Sequence, residues 1–406
     1  MKTILFLIIF FYCGTIFSQN YFPSYYDTTI IKSEITFQGK ADLINSSINN
    51  QFVNHFLWGG TISEEEAKNN SNKQQTSNKL QLESNTELEY RNYQIFPKSM
   101  WGIIVKGGVY YSLSTAYTNS LFNLSLFGNT DYLNQTLSLG PCKINSVSYS
   151  KFGFGIIHKK SKNNFSLNIY EIYNQLSLDI KKGNLIFNNT GSNLTLNDID
   201  LNFSTFKRNN NTHSIGVGID LDLKIPITTF FERQLTLQIL TKNLGIGLLT
   251  QNVTNYNLDT SYQYSGMSIS GIKSFISNHE TQHFLDTLSV QKTTDSKWIA
   301  LPGYLQAGKI NLSTNTNRFQ SYYGCRIYPN FSFLPLLYSG IQFKMNKFIY
   351  LGLSENYGII NQFRTGMFIR FNLKSISMTL GSENIISSFR SNGNGQSYQF
   401  RIACQY

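Results

Sequence analysis

Charge is what this chain has least of. Asp, Glu, Lys and Arg make up only 14% of its 406 residues, against about 25% in an ordinary soluble domain. A soluble enzyme that coats itself with Lys and Glu fits that deficit poorly. Proline is scarce too, at 7 residues. Of the 4 cysteines, Cys13 falls in the leader, and Cys142, Cys325 and Cys404 are widely spaced, an odd set that argues against a disulfide framework. Beyond the leader no apolar run reaches about 18 residues, which excludes a membrane-spanning helix. Basic residues exceed acidic ones, giving a net charge of +11. They are spread singly, the longest run being Lys159-Lys160, so no basic stripe points to nucleic acid. Dispersed Lys and Arg suit an anionic lipid surface.

The missing charge is replaced by uncharged polar residues and by aromatics, with 25 Tyr and 31 Phe. Tyr, Phe and Leu interleaved with Asn, Ser and Thr describe an all-β scaffold or a membrane barrel. The N-terminus reads as a signal peptide: Met1-Lys2 is the positive n-region, Ile4 to Phe11 the short apolar core, and cleavage is expected after Ser18. Tyr12 before Cys13 argues against a lipobox. The mature barrel is then expected over residues 19–406, exported to the bacterial outer membrane.

Period-2 alternation runs through most of the chain. "NKLQLESNTELEY" sets Leu80, Leu82, Leu88 and Tyr90 against Gln81, Glu83, Glu87 and Glu89. "IGVGIDLDLKI" sets Ile215, Val217, Ile219, Leu221 and Ile225 against Gly216, Gly218, Asp220, Asp222 and Lys224. "NNFSLNIYEIYNQLSLDI" sustains the pattern from Phe165 to Ile180. Strands of this length suit a tilted membrane crossing of about 9–11 residues. In lipid every backbone amide must pair, so the sheet has to close on itself. The fold class expected is therefore all-β: a closed antiparallel transmembrane β-barrel of about 14 strands, within a range of 12–16, with a short helical insert. Hairpin turns are expected near Met345-Asn346-Lys347 and Asn372 to Lys374. The final strand alternates Tyr398, Phe400, Ile402 and Cys404 and ends on Tyr406. Inward carboxylates such as Glu83, Glu87, Glu89, Asp220 and Asp222 are expected to be polar lining, not acid–base pairs.

Three segments break the pattern. Glu64 to Ser77 is polar and expected to be a mobile extracellular loop. Ser120 to Gly140 is expected to be an inward-folded or helical insert. Met267 to Lys297 is the longest break, with helical spacing through Ile272, Phe275, Ile276 and His279. It contains His279-Glu280-Thr281-Gln282-His283, the H-E-x-x-H string in which two histidines bind zinc and the glutamate is the base. A catalytic site also needs a third protein ligand. The metzincin positions hold Asp286 and Ser289, no carboxylate lies between Asp295 and Glu355, and no His follows His283. The string is therefore expected to be a polar helix face, and neither a metal nor another cofactor is expected. His55, His158 and His213 have no neighbouring acid and nucleophile in sequence.

The segments "SLFNLSLFGNTDYLNQTLSL", "LTLQILTKNLGIGLLTQ" with "LDTSYQYSGMSI", "IALPGYLQAGKINL" and "MTLGSENIISSFRSNGNGQS" together resemble a Bacteroidota outer-membrane barrel family of unassigned function. That family is related to barrels of the long-chain fatty-acid transporter type and to the PorV-like barrels of type IX secretion. The likeness spans roughly Ser33 to Tyr406 and lacks the Asn-Pro-Ala start of PorP/SprF-type barrels. It implies about 14 strands with short inserts near the periplasmic side or lumen, and carries over no catalytic residue. The function expected is a non-enzymatic channel or transporter for small apolar or amphipathic molecules, or an accessory of a surface or secretion complex. The partners expected are outer-membrane lipid, a lipophilic small molecule in the lumen and a protein of such a complex, with no nucleic acid. The alternative is a secreted all-β zinc hydrolase using His279, Glu280 and His283.

Overall fold

The computed structural model describes residues 32–190, 193–208, 213–228, 234–265, 291–310, 317–329 and 334–406. The leader and the H-E-x-x-H string lie outside the described residues. So does most of the 267–297 insert.

The alternating segments become β1 (Ser33–Asn45), β2 (Ser77–Asn92), β3 (Trp101–Thr118), β4 (Thr136–Ser138), β5 (Cys142–His158), β6 (Asn164–Phe187), β7 (Asn193–Lys207), β8 (Ser214–Thr228) and β9 (Gln234–Ser265). The second half supplies β10 (Gln291–Ala300), β11 (Tyr304–Ile310), β12 (Phe319–Ile327), β13 (Leu334–Lys344), β14 (Ile349–Ile359), β15 (Gln362–Asn372), β16 (Ile376–Ser382) and β17 (Gln396–Gln405). The turns expected near Met345 and Asn372 are the β13–β14 and β15–β16 links. All the strands join one sheet, and it closes: Ile35 of β1 stands opposite Tyr90 of β2 on one side and Cys404 of β17 on the other. Every pairing between these strands that forms the wall is antiparallel, so the structure is an all-β barrel.

The sheet has 17 strand segments, more than the 12–16 expected. The excess comes from broken staves. The long β6 pairs with β8 through Asn164–Ile172 and with β7 through Asn174–Phe187, so β7 and β8 lie end to end. In the same way β10 and β11 lie end to end along β9, bent at Leu301-Pro302-Gly303. Strand β4, of three residues, pairs only with the end of β6. Taking each broken pair as one stave and setting β4 aside leaves 14 staves in the ring.

One face of the wall is apolar and exposed. Phe152, Phe154, Leu167, Ile169, Val217, Ile246, Ile341 and Leu353 all point outward. The opposite face holds Lys40, Asp42, Glu87, Lys151, Asp220, Arg326 and Arg364, all buried. This is the reverse of a soluble core, and it is the arrangement of a wall with hydrocarbon outside. On β6 the alternation changes parity, because the pairing with β5 skips Tyr173. That bulge lets odd residues (Phe165, Leu167) and then even ones (Leu178, Ile180) face outward along one strand.

The wall outgrows the apolar band at the end marked by Asn45. Strands β5, β6 and β9 have 17, 24 and 32 residues, well beyond a single crossing. There the outward residues Leu43, Tyr117, Cys142, Ile180, Leu196 and Leu258 are covered by protein. The cover is a collar built from α1 (Asn50–Trp58), α3 (Asn119–Phe127) and β4, with Phe52 and Phe122 packed on Tyr117 and Leu43. Phe122 stacks on Tyr117 with ring centroids 6.0 Å apart. Each helix starts on a side-chain cap: Asn49 accepts from the Phe52 N–H at 2.8 Å and Thr118 from the Leu121 N–H at 3.2 Å. The 120–140 insert is thus helical, but it packs on the outer wall instead of folding inward.

Part of the segment expected as a mobile loop is also ordered. Residues Glu64–Ser71 form α2, capped by Ser63, which accepts from the Glu66 N–H at 3.2 Å. Lys68 donates to Glu64 at 2.6 Å on its exposed face and holds that carboxyl below its ordinary range. A fourth short helix, α4 (Ile385–Ser388), follows β16. The four α-helices among the described residues lie at the end opposite the termini, whereas the resemblance implied inserts near the periplasmic side or lumen. Among the described residues no helix is long and apolar enough to cross a membrane.

Candidate functional site in the barrel lumen

The inward residues of neighbouring strands are sorted by height. Along β5 they run Lys143, Asn145, Val147, Tyr149, Lys151; along β6, Asp179, Ser177, Gln175, Ile172, Tyr170, Asn168. These strands are in register (Asn145 opposite Ser177, Val147 opposite Gln175, Tyr149 opposite Ile172). Along these strands the lumen therefore has layers: amide and hydroxyl groups at the collar end, an aromatic layer beneath, and a lattice of charges toward the termini.

The charged layer is built by cross-lumen pairs. Glu87 of β2 meets Lys151 of β5 at 2.7 Å and Lys242 of β9 at 2.9 Å. Asp220 of β8 meets Lys151 at 3.0 Å and Lys106 of β3 at 3.1 Å. The remaining oxygen capacity is filled locally. Tyr110 donates to Glu87, Asn168 Nδ2 donates to Asp220 at 2.9 Å, and the Asn243 backbone N–H donates to Asp220 at 2.8 Å. A second group, at the collar end of β1, β15 and β16, joins Lys40 to Asp42 at 2.9 Å and to Glu383 at 3.0 Å, with Arg364 on Asp42 at 3.0 Å. Nearer the termini Glu34 takes Arg91 at 3.3 Å and Arg401 at 3.6 Å, and Arg91 also meets Glu89. Buried charges are tolerable only when paired and hydrogen-bonded; Glu87 and Asp220 find partners across the lumen, whereas Lys40–Asp42 and Arg91–Glu89 pair along one strand and Glu34 pairs with its wall neighbours. A cavity of ≈110 Å³ remains among Gln38, Glu89, Arg91, Lys106, Asp222 and Arg401.

Above the lattice lies the aromatic layer. Tyr110 stacks on Tyr149 at 5.1 Å, and Tyr170 meets Tyr149 edge-on at 5.5 Å. Ile172, Phe206, Leu249, Val253 and Leu301 fill in around them. Tyr149 also donates to the Pro302 carbonyl at 3.4 Å, so it bridges β5 to the bend between β10 and β11. On the other side of the ring, Tyr304, Tyr322, Tyr338, Leu336 and Phe368 form a separate cluster, with the Arg326 guanidinium 4.0 Å from the Tyr304 ring centre. Beyond the aromatic layer two cavities of ≈340 and ≈320 Å³ meet at Ser177, Asp179 and Lys297.

Of the residues singled out from sequence, Glu83, Glu87, Glu89, Asp220 and Asp222 all face the lumen, as lining. His279, Glu280 and His283 lie outside the described residues. Among the described residues no three His, Cys, Asp or Glu side chains group as a metal site. His55 and His213 each do meet a carboxylate, Glu66 at 3.1 Å and Glu171 at 3.2 Å; both lie away from the lattice. Cys142, Cys325 and Cys404 are free thiols. The residues missed were the lattice cations Lys106, Lys151 and Lys242. Their signal was a lone Lys at an inward position of an otherwise apolar or glycine-rich strand, as in "IIVKGGVYY" and "SKFGFGII".

No family model matches the chain, and no curated protein matches it. Among solved structures the chain is similar to a mutant of the TodX monoaromatic hydrocarbon channel (TM-score 0.35, 10% identity, covering 92% of this chain and 89% of that one). It is also similar to the translocator domain of the autotransporter NalP from Neisseria meningitidis (TM-score 0.30, 8% identity, covering 94% and 90%). A third is the outer-membrane protease OmpT from Escherichia coli (TM-score 0.21, 5% identity, covering 92% and 96%). At these values the likeness carries neither a function nor a residue role to this chain. The barrel assignment stands on the closed sheet and its two faces.

Proposed function

We propose that this chain is an exported outer-membrane β-barrel, its leader removed near Ser18, that passes small hydrophilic solutes through a lumen held shut at rest. The observation that carries the reading is the order of inward groups along β5 and β6: polar vestibule, tyrosine layer, charged lattice. Apolar cargo would have to cross that lattice by breaking buried ion pairs without replacing them, whereas a polar solute can take over their hydrogen bonds. The guide to cargo is thus the polar lining, in place of the apolar or amphipathic molecules expected from sequence. Longer links of such barrels face outward from the cell, so the collar end is read as extracellular and the termini as periplasmic. No step of bond breaking is assigned.

The test is conductance. Full-length mature protein in planar bilayers is expected to stay mostly closed, and Tyr149→Gly, which removes the centre of the aromatic layer, is expected to raise the open-state current several-fold. A lumen that stays closed to ions in both forms would sink the reading.

A second reading, docking in a surface or secretion complex, is favoured by the collar. The end of α1 leaves Phe56, Leu57 and Trp58 exposed beside it.

A further inference from the structure

We infer that the vestibule above the tyrosine layer is a binding site for a neutral polyhydroxylated solute, a mono- or disaccharide. The inference rests on the reading of the lumen as a hydrophilic passage, and it names the class of solute.

The site is a two-row wall. In one row Asn145 of β5, Ser177 of β6, Ser204 of β7, Asn255 of β9 and Thr293 of β10 stand successively opposite one another. In the next, Asp179, Asn202 and Asn257 repeat the arrangement. These residues line the two joined cavities of ≈340 and ≈320 Å³, each within the size range of small-molecule sites, about 300–1,000 Å³. Amides and hydroxyls offer donors and acceptors alternately at fixed spacing. That is the complement of a sugar ring, whose every hydroxyl both gives and accepts. Three charges line it: Lys297 donates to Ser204 at 2.8 Å, and Lys143 stands opposite Asp179 where the cavities meet.

A second observation points to a ligand. Ser112 Oγ and Gln175 Oε1 have no hydrogen-bond partner, although their residues are only 5% and 8% exposed. Both residues line the ≈320 Å³ cavity at its floor, where Val147 and Pro302 also contribute. A buried oxygen without a partner is unfavourable, and a ligand hydroxyl seated on the floor would satisfy both. An apolar ligand would leave them unpaired, and a fully ionised anion has no hydrogen to donate to Gln175 Oε1.

Isothermal titration of the full mature barrel in detergent micelles with glucose, maltose, glycylglycine and toluene tests the inference. Saturable binding of maltose or glucose is expected, at least tenfold tighter than that of glycylglycine or toluene. Gln175→Leu and the wall variant Asn255→Leu are each expected to weaken sugar binding at least fivefold. Heat-modifiable migration in gels confirms that each variant is folded. Absence of saturable sugar binding, preference for the dipeptide or toluene, or unchanged sugar binding in both folded variants would overturn it. Bilayer conductance is read separately: a barrel that conducts but ignores sugar refutes this inference alone, and one that binds sugar without conducting refutes the passage reading.

Discussion

Glu87 and Lys151 approach to 2.7 Å with side chains 1% and 0% exposed, although β3 separates their strands in the wall. Long side chains can bridge one intervening strand, but Glu87 also meets Lys242 of β9 at 2.9 Å, a contact that needs the sheet to curl until its inner face meets itself. Lys151 serves two acids, Glu87 and Asp220, and is the hub of the lattice. Replacing it with Met is expected to destabilise the barrel by about 3–5 kcal/mol, since both carboxylates lose a buried partner. Urea titration of the protein refolded into lipid vesicles measures this. Adding Glu87→Gln to Lys151→Met should recover part of the loss, and a double variant less stable than Lys151→Met alone would show that the pair is not coupled as described.

The outer face makes the opposite demand. Leu167 and Ile169 are 62% and 58% exposed, in the middle of the β6 stretch that pairs with β8. Leu167→Arg is expected to cost about 2–4 kcal/mol in lipid, the penalty for a cation near the bilayer midplane. Nearer the collar, at Tyr111, whose cross-strand partners are the polar Ser84 and Ser148, arginine should cost less. Equal penalties at the two sites would show that the apolar band has been misplaced.

Glycine is required where β14 passes under β15. Gly352 stands opposite Phe368, and a Cβ there would lie 1.9 Å from the Phe368 ring. Gly352→Ala should therefore force the ring aside at a cost of about 1–3 kcal/mol, and Phe368→Leu in the same chain should relieve most of it. Thermal unfolding of Gly352→Ala, Phe368→Leu and the double variant gives the comparison; additive losses would refute the steric account.

The chain has 3 tryptophans, Trp58, Trp101 and Trp298, and all are exposed. Trp58 ends α1 on the collar, and Trp101 starts β3 at the opposite rim. Indole rings at barrel rims settle at headgroup level. In vesicles, single-tryptophan forms keeping only Trp58 or only Trp101 should be quenched more by lipids labelled near the headgroup than by lipids labelled deep in the acyl chain. Trp58 emission matching free indole in water would detach α1 from the membrane surface.

The two faces of the wall could be read from sequence, because alternation is a local property: Leu88 and Val217 went outward, Glu87 and Asp220 inward. Three things could not. The parity change at Tyr173 looks in sequence like continued alternation, since a bulge is defined only by the partner strand. The breaks between β7 and β8 and between β10 and β11 hide in runs that resemble complete strands. The pairing of Glu87 with Lys242 depends on the curl of the whole ring and has no local signature. The α2 helix did have one: Ser63 three residues before Glu66 is a capping signal, outweighed in the reading by the polarity of what followed.

Closure between β1 and β17 has a consequence for how the protein comes into being. Lys40 and Glu383, 343 positions apart, are 3.0 Å apart in the finished barrel. Until the last strand arrives, β1 has an open edge and the inward acids and bases of the first half still face water. Insertion strand by strand would drag these solvated charges into lipid one at a time. The lattice thus ties entry into the bilayer to completion of the ring, so that a chain truncated before β17 loses its passage into the membrane together with its seam.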